Sequence, residues 1–356
     1  VPRKKNSRQW ARLRVLCCSG LDPLSLAPDA LALVRKLIPH AGATLFLNDE
    51  QGVPAATYQD PLFDGVRALC GAEEVICDRF NPIGVDALGV MRPDTPKLSV
   101  LDGRQPGYFD SHTYQCIVRG AGQRHVLNAR LETGGRVAGL VSLYREPGLG
   151  FGPEQAEDLA RVALYLEHAL ASPALAPPAA DPPADDAIMV VRRDGAIELA
   201  SPPAWALLRE LAGQAIVPVR SDRLPPACRR VLDMLTDDVA YPAQLPVTRV
   251  AAPGGVIEIR AQWLDPGGTE ERGSIGLSLR RIEPLPLRVW RRLDGIALSP
   301  QQTEVAFWMG VGGGRGAARA RMGVSDAVLR DCVKAIYDKF GCSSESDLAR
   351  RLRSPA

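Results

Sequence analysis

Leu298-Ser299-Pro300-Gln301-Gln302-Thr303-Glu304-Val305 opens the stretch that decides the architecture of this 356-residue chain. It runs through a glycine-rich break, Gly310 to Gly316, to Met322-Gly323-Val324-Ser325, and then into a long helical pattern ending at Phe340. Ser299 suits a helix cap, Pro300 suits the first helical position, and Gln302 can complete a capping box. Val305, Trp308 and Met309 share a face of that first helix. A short second helix over Ala317 to Met322 should stop at Gly323, the residue type that adopts a left-handed conformation freely. Ser325 then caps a third helix with Leu329, Val333, Ile336 and Phe340 on its core face. Its other face carries Asp326, Ala327, Arg330, Asp331 and Lys334. Gly341 ends it, and Ser344 caps a last helix with Leu348 and Leu352 on one side. Helix, turn, helix with cations on the exposed half is a shape that enters a DNA major groove, where Arg or Lys reaches guanine or phosphate.

Charge agrees with an anionic partner for this end alone. The whole chain has a formal charge of +2. From Arg288 onward there are 12 lysines and arginines against 7 acidic residues, a balance of +5, which leaves −3 upstream. A solvated surface with uneven charge would show the same numbers, so charge does not decide between the two readings.

Working outward, Pro28 to Ile38 reads as a helix, and Gly42 to Leu47 and Val53 to Tyr58 as strands around a turn. Tyr108 to Cys116 fits helix or loop. His125 to Leu131 and Arg136 to Tyr144 are strands joined at Gly134-Gly135, and Glu154 to Leu170 is an amphipathic helix. Ser172 to Asp186 is dominated by Pro and Ala and reads as a semi-extended linker. Beyond it come a hairpin around Arg193-Asp194-Gly195, a helix from Ser201-Pro202 to Leu211, and a second helix over Pro226 to Leu235. Two closing strands follow, Val256 to Trp263 and Ser274 to Ile282. The order is that of α+β units, with helices on one face of an antiparallel sheet.

Chemistry-bearing patterns are few. The sequence contains no phosphate loop with Lys-Ser/Thr, no Gly-x-Ser-x-Gly and no His-Glu-x-x-His. Its four histidines, His40, His112, His125 and His168, stand apart from one another, and its eight cysteines form no Cys-x-x-Cys pair. Neither an enzyme, nor a metal site, nor a cofactor is expected. The chain has no run of about 18 apolar residues, so no membrane contact is expected and a cytoplasmic location is.

The C-terminal residues resemble the LuxR-type helix-turn-helix of bacterial transcription regulators. Leu298, Ser299, Pro300, Glu304 and Val305 match the family's opening, and Gly323, Val324 and Ser325 its turn. Leu329, Arg330 and Val333 fall at its Val, Lys and Val, and Lys339-Phe340-Gly341-Cys342 fits its ending. The departures lie mainly in the second helix. Where the family has Asn-Lys-Glu-Ile-Ala, this chain has Arg315-Gly316-Ala317-Ala318-Arg319; a core Ile becomes Ala318, and a small core Ala becomes Arg319. An arginine there must reach water or a partner. In the third helix, Val328 stands for the family's Thr and Cys332 for its His. More weakly, the run from Gly122 through Gly135 to Arg145 and Phe151 resembles a GAF-type sensory domain. The Arg193-Asp194-Gly195 hairpin and late strands resemble a PAS-type domain, without the usual Asn after the second strand.

The resemblance implies an α+β chain: two sensory-type α+β domains (GAF-like and PAS-like) followed by an all-α, four-helix output domain. The expected boundaries are an N-terminal arm 1–23, a GAF-like domain 24–171, a linker 172–186, a PAS-like domain 187–284 and the helix-turn-helix domain 285–356. It implies a transcription regulator that binds double-stranded promoter DNA as a homodimer, the fourth helix commonly mediating dimerisation, under a small-molecule effector or partner. The DNA-contacting set it implies is Arg315, Ser325, Asp326, Val328, Leu329, Arg330 and Lys334. Cys77, Tyr108, Phe109 and Tyr114 are candidates for an effector pocket, the alternative for each being a plain core or surface residue. The altered second helix leaves a second expectation open, a unit that acts mainly through protein contacts.

Overall fold

The computed structural model describes residues 6–66, 87–171, 187–213, 224–237, 245–264 and 274–354. Within these the chain mixes helices with two antiparallel five-stranded sheets. Cys77 and the linker expected at 172–186 lie outside the described residues.

Of residues 1–23, expected as an arm, the described part from residue 6 is instead largely structured: helix α1 spans Ser7–Cys17 and buries Leu13, Val15, Leu16 and Cys17. Helix α2 spans Pro23–Leu37 and so begins five residues before Pro28. The reason is local. The Asp22 side chain accepts from the Leu24 amide at 2.8 Å and caps the helix there. Strands β1 (Gly42–Asn48) and β2 (Pro54–Gln59), a short helix α3 (Ala87–Met91), strands β3 (Leu98–Leu101), β4 (His125–Thr133) and β5 (Arg136–Arg145), and helix α4 (Pro153–Ala171) complete the first unit. Its sheet order is β2-β1-β5-β4-β3. The two-residue period of β4 sends Leu127, Ala129 and Leu131 into the core shared with Leu159, Val162 and Leu166 of α4. Val126 points to the opposite face, with Phe63, Leu101, Tyr108, Tyr114 and Tyr144. Of the stretch Tyr108 to Cys116, which fits helix or loop by sequence, the first residues form a turn and the last ones enter a wide helical turn, Thr113–Val118.

The middle unit repeats this order. Strands β6 (Ala187–Val191) and β7 (Ile197–Ala200), helices α5 (Pro202–Gly213) and α6 (Pro226–Thr236), and strands β8 (Val247–Ala252), β9 (Gly255–Leu264) and β10 (Ser274–Ile282) give the sheet β7-β6-β10-β9-β8. Met189, Val191, Ile257, Ile259, Ile275 and Leu277 face Leu208, Cys228, Val231 and Leu232 of the two helices in a separate buried cluster. Strands β3 and β8, at the edges of the two sheets, were not expected from sequence.

Residues 285–354 are helical or connecting. Helix α7 (Leu285–Arg292), also unexpected, precedes α8 (Pro300–Trp308), α9 (Gly314–Met322), α10 (Asp326–Phe340) and α11 (Glu345–Arg353). Their core is continuous with that of the first unit: Leu13 and Leu16 of α1 belong to one buried cluster with Leu33 of α2, Leu159 of α4 and Val305 and Phe307 of α8.

Candidate nucleic-acid interface

Local sequence places α8 and α10 firmly. At the start of α8 the Ser299 hydroxyl accepts from the Gln302 amide at 3.2 Å, while Gln302 Oε1 accepts from the Ser299 amide at 3.0 Å. This reciprocal cap satisfies two amides that the helix start would otherwise leave open. Beyond Trp308 the helix widens into a single turn, Met309–Gly313, and Gly312 takes φ 111°, which admits glycine and strains other residues. Helix α9 buries Ala318 alone, and Gly323 ends it at φ 61°. Ser325 then caps α10 by accepting from the Val328 amide at 3.4 Å.

Helix α10 divides into two faces. Leu329, Cys332, Val333 and Ile336 are buried. Asp326, Ala327, Val328, Arg330, Asp331, Lys334 and Asp338 are exposed. Arg330 and Lys334 are thus presented outward from a helix whose inner face is fixed, which is the placement needed to meet phosphates or base edges. Leu329, expected to touch DNA, is only 6% exposed; it belongs to the core, and the correction follows from its position one helical turn before Val333 on the inner face. The Ser325 hydroxyl is engaged as the cap.

Arg315 is tied inside the unit. Its guanidinium donates to the Tyr337 hydroxyl at 2.9 Å, lies 5.6 Å from that ring's centroid and stands 3.5 Å from a Glu345 carboxylate oxygen. The Tyr337 hydrogen bond raises its pKa further. It therefore joins α9 to α10 and α11. Arg319, singled out in sequence only as a misfit, donates to Asp326 Oδ1 at 2.8 Å across the Gly323 turn. Arg321 lies 4.1 Å over the Trp308 ring. The signal for the Arg319 contact was present: it and Asp326 are opposite charges flanking a tight turn. The fourth helix turns Leu348 and Leu352 fully inward, so neither is available to a dimer contact. Arg351 instead donates to the Phe340 and Gly341 carbonyls at 2.6 and 3.0 Å and closes the end of α10.

The upstream candidates fall together in part. Tyr108, Phe109 and Tyr114 form one aromatic cluster, with ring centroids 5.2, 5.1 and 4.8 Å apart. Tyr108 is fully buried and its hydroxyl donates to the Arg124 carbonyl at 3.1 Å. Burial pushes its phenol well above the usual range. Arg124 lies 4.4 Å over Phe109. In the middle unit a cleft of about 330 Å³ opens on the outer face of the sheet, lined by Ile188, Arg260, Gln262, Leu264, Ser278 and Arg280 among others. Glu258 forms part of its lining, 2% exposed and paired to Arg260 and Arg249 at 2.7 and 2.9 Å. Burial works to raise its pKa, but the two arginines outweigh it and hold the carboxyl below its usual range. No group of three or more His, Cys, Asp or Glu side chains suited to a metal ion occurs among the described residues. No helix among them is long and apolar enough to cross a membrane.

No family model matches the chain, and no curated protein matches it. Solved structures give weak likenesses. A domain of a two-component sensor histidine kinase protein from Sinorhizobium meliloti is 14% identical over 41% of this chain and 88% of its own, with a TM-score of 0.30. The GAF3 domain of Slr1393 from Synechocystis is 16% identical over 41% of this chain and 93% of its own, at 0.29. The Vibrio cholerae VqmA dimer, a LuxR-type receptor described in the absence of target DNA, is 14% identical over 47% of this chain and 81% of its own, at 0.19.

Proposed function

We propose that this chain is a transcription regulator that binds promoter DNA through a helix-turn-helix formed by α9 and α10. The observation that carries the reading is the division of α10. Leu329, Val333 and Ile336 lock its inner face, and Arg330 and Lys334 stand on the outer one just beyond a capped, glycine-hinged turn. The protein acts without catalysis, in the cytoplasm, as a homodimer. Its two sheet-bearing units, GAF-like and PAS-like, receive a small-molecule effector or a partner and bias the output helices. With Leu348 and Leu352 turned inward, the dimer contact lies upstream of α11 or on its polar face.

The test is selection of bound sequences from randomised duplexes with the full chain, followed by anisotropy titrations across salt concentrations. A selected site should emerge. Arg330→Ala and Lys334→Ala should each weaken it, by about 1–3 kcal/mol for a base contact, or reduce the salt slope by about one for a phosphate contact. Absence of any selected site, with both variants indistinguishable from the parent, would remove the DNA reading.

One observation favours a second reading. The outer face of α10 carries Asp326, Asp331 and Asp338 beside Arg330 and Lys334, so it is not a basic face. A unit used for protein contact would retain a defined protein partner in pull-down and protect no DNA.

A further inference from the structure

The acidic start of α10 has a specific use if the DNA reading holds, and the inference below rests on that reading. In a helix-turn-helix the first residues of the second helix approach base edges. Here that position is Asp326, the first residue of α10, with its side chain 67% exposed. A lone carboxylate entering a groove lined by phosphates is repelled. Asp326 is not alone: Arg319 on α9 reaches across the turn and donates to its Oδ1 at 2.8 Å. That contact offsets the charge and fixes one carboxylate oxygen while most of the group stays open. Arg319 is free to do this because Ala318 alone supplies the buried contact of α9.

We infer that Asp326 is a base-reading residue that selects cytosine at one position of each half-site, and that Arg319 is the residue positioning it. An ionised carboxylate only accepts hydrogen bonds. In the major groove guanine presents N7 and O6 acceptors and thymine an O4 acceptor, so both repel it. Adenine sets its N7 acceptor beside the N6 donor, an arrangement suited to an amide rather than a carboxylate. Cytosine presents the N4 amino donor and fits. Val328, Arg330 and Lys334 are exposed further along the same helix.

The experiment is sequencing of bound duplexes selected by the full chain and by Asp326→Asn, Asp326→Ala, Arg319→Ala and Arg319→Lys, each checked for folding by circular dichroism. The parent should enrich cytosine at one half-site position over the other bases by about 5- to 150-fold. Asp326→Asn should move that preference to adenine, because an amide pairs with N6 and N7. Asp326→Ala should erase it while leaving the other positions unchanged. Arg319→Ala should flatten the preference, and Arg319→Lys should keep most of it. If the parent selects a site and Asp326→Ala returns the same base preference throughout, Asp326 is a surface charge and the inference is overturned while DNA binding stands. An Asp326 effect without an Arg319 effect overturns the positioning role alone. A parent that selects no site removes both this inference and the DNA reading.

Discussion

His40 shows how far burial alone can move a side chain's chemistry. It sits in the connection just after α2 and is 9% exposed, with Nδ1 2.7 Å from the Ile38 carbonyl. That contact fixes the proton on Nδ1, which donates, and leaves Nε2 buried without a partner among the described residues. Burial is the largest influence on its pKa, which is lowered to about 4. The Ile38 carbonyl pulls the other way, Arg35 and Arg145 add to the lowering, and Asp60 partly opposes them. The unfolded chain therefore binds this proton near the usual histidine value, about 6.5, while the folded chain refuses it until about pH 4. Stability from this site is complete above the unfolded pKa and is lost as pH falls through that window, to a total of roughly 3 kcal/mol. Urea titrations between pH 7 and pH 4 should show this loss in the parent. His40→Asn should remove that share of the slope; an unchanged slope would place the pH dependence on carboxylates instead.

At the scale of elements, the glycine break between α8 and α9 is a packing device as much as a turn. Gly310 lies under α7 and α11: a Cβ there would stand 2.7 Å from Val289 Cγ1 and 2.9 Å from Leu352 Cδ1. Both neighbours are buried, so neither can give way cheaply. Gly310→Ala should destabilise the output helices by about 1–3 kcal/mol. Gly316, where nothing lies near an added Cβ, should accept alanine without loss and serves as the control. Chemical denaturation followed by tryptophan fluorescence separates the two, Trp290 and Trp308 being in this region. The same elements explain what was legible. Helices α8 and α10 announced themselves because Ser299, Gln302, Ser325, Gly323 and Gly341 are caps and stops whose effect is local. Helix α1 did not, because a buried arginine, Arg12, interrupts the apolar face formed by Trp10, Leu13 and Leu16. Edge strands β3 and β8 are short and half-exposed, so neither shows a clean two-residue alternation. Leu329 matches a motif position, which says nothing of which way a side chain points, whereas the helical period places it inside.

For the whole molecule, the decisive contact is made by the helix that sequence left as an arm. Arg12 is 4% exposed and lies 4.3 Å over the Trp290 ring of α7. Trp290 Nε1 donates to the Arg12 carbonyl at 3.1 Å, and Asp294 stands 3.0 Å from the guanidinium. Burial lowers the Arg12 pKa, with Asp294 the leading opposing influence. Around this contact Arg14 pairs with Glu304 of α8, and on the other side of α1 the Trp10 ring meets Tyr165 of α4 at 6.2 Å. One helix thus packs on the first unit and on the output helices at once, within a single buried cluster. The middle unit touches this body more lightly, through its Gly255 carbonyl, which accepts from the Ser25 hydroxyl of α2 at 2.6 Å, and through Glu283, which pairs with Arg291 of α7 at 2.7 Å; its own apolar core is separate. The first unit and the output helices should therefore melt together, and the middle unit in its own transition. Asp294→Ala leaves the buried Arg12 cation without its carboxylate. Because that carboxylate is 61% exposed, the loss should be about 1 kcal/mol rather than the full cost of a buried pair. Differential scanning calorimetry should show the joint transition lowered by about 2–4 °C and the other unmoved. Adding Arg12→Met should cancel the effect, since no cation then remains to be stranded. Separate melting of the first unit and the output helices in the parent would break this mechanical link, and with it the coupling to α10 proposed above.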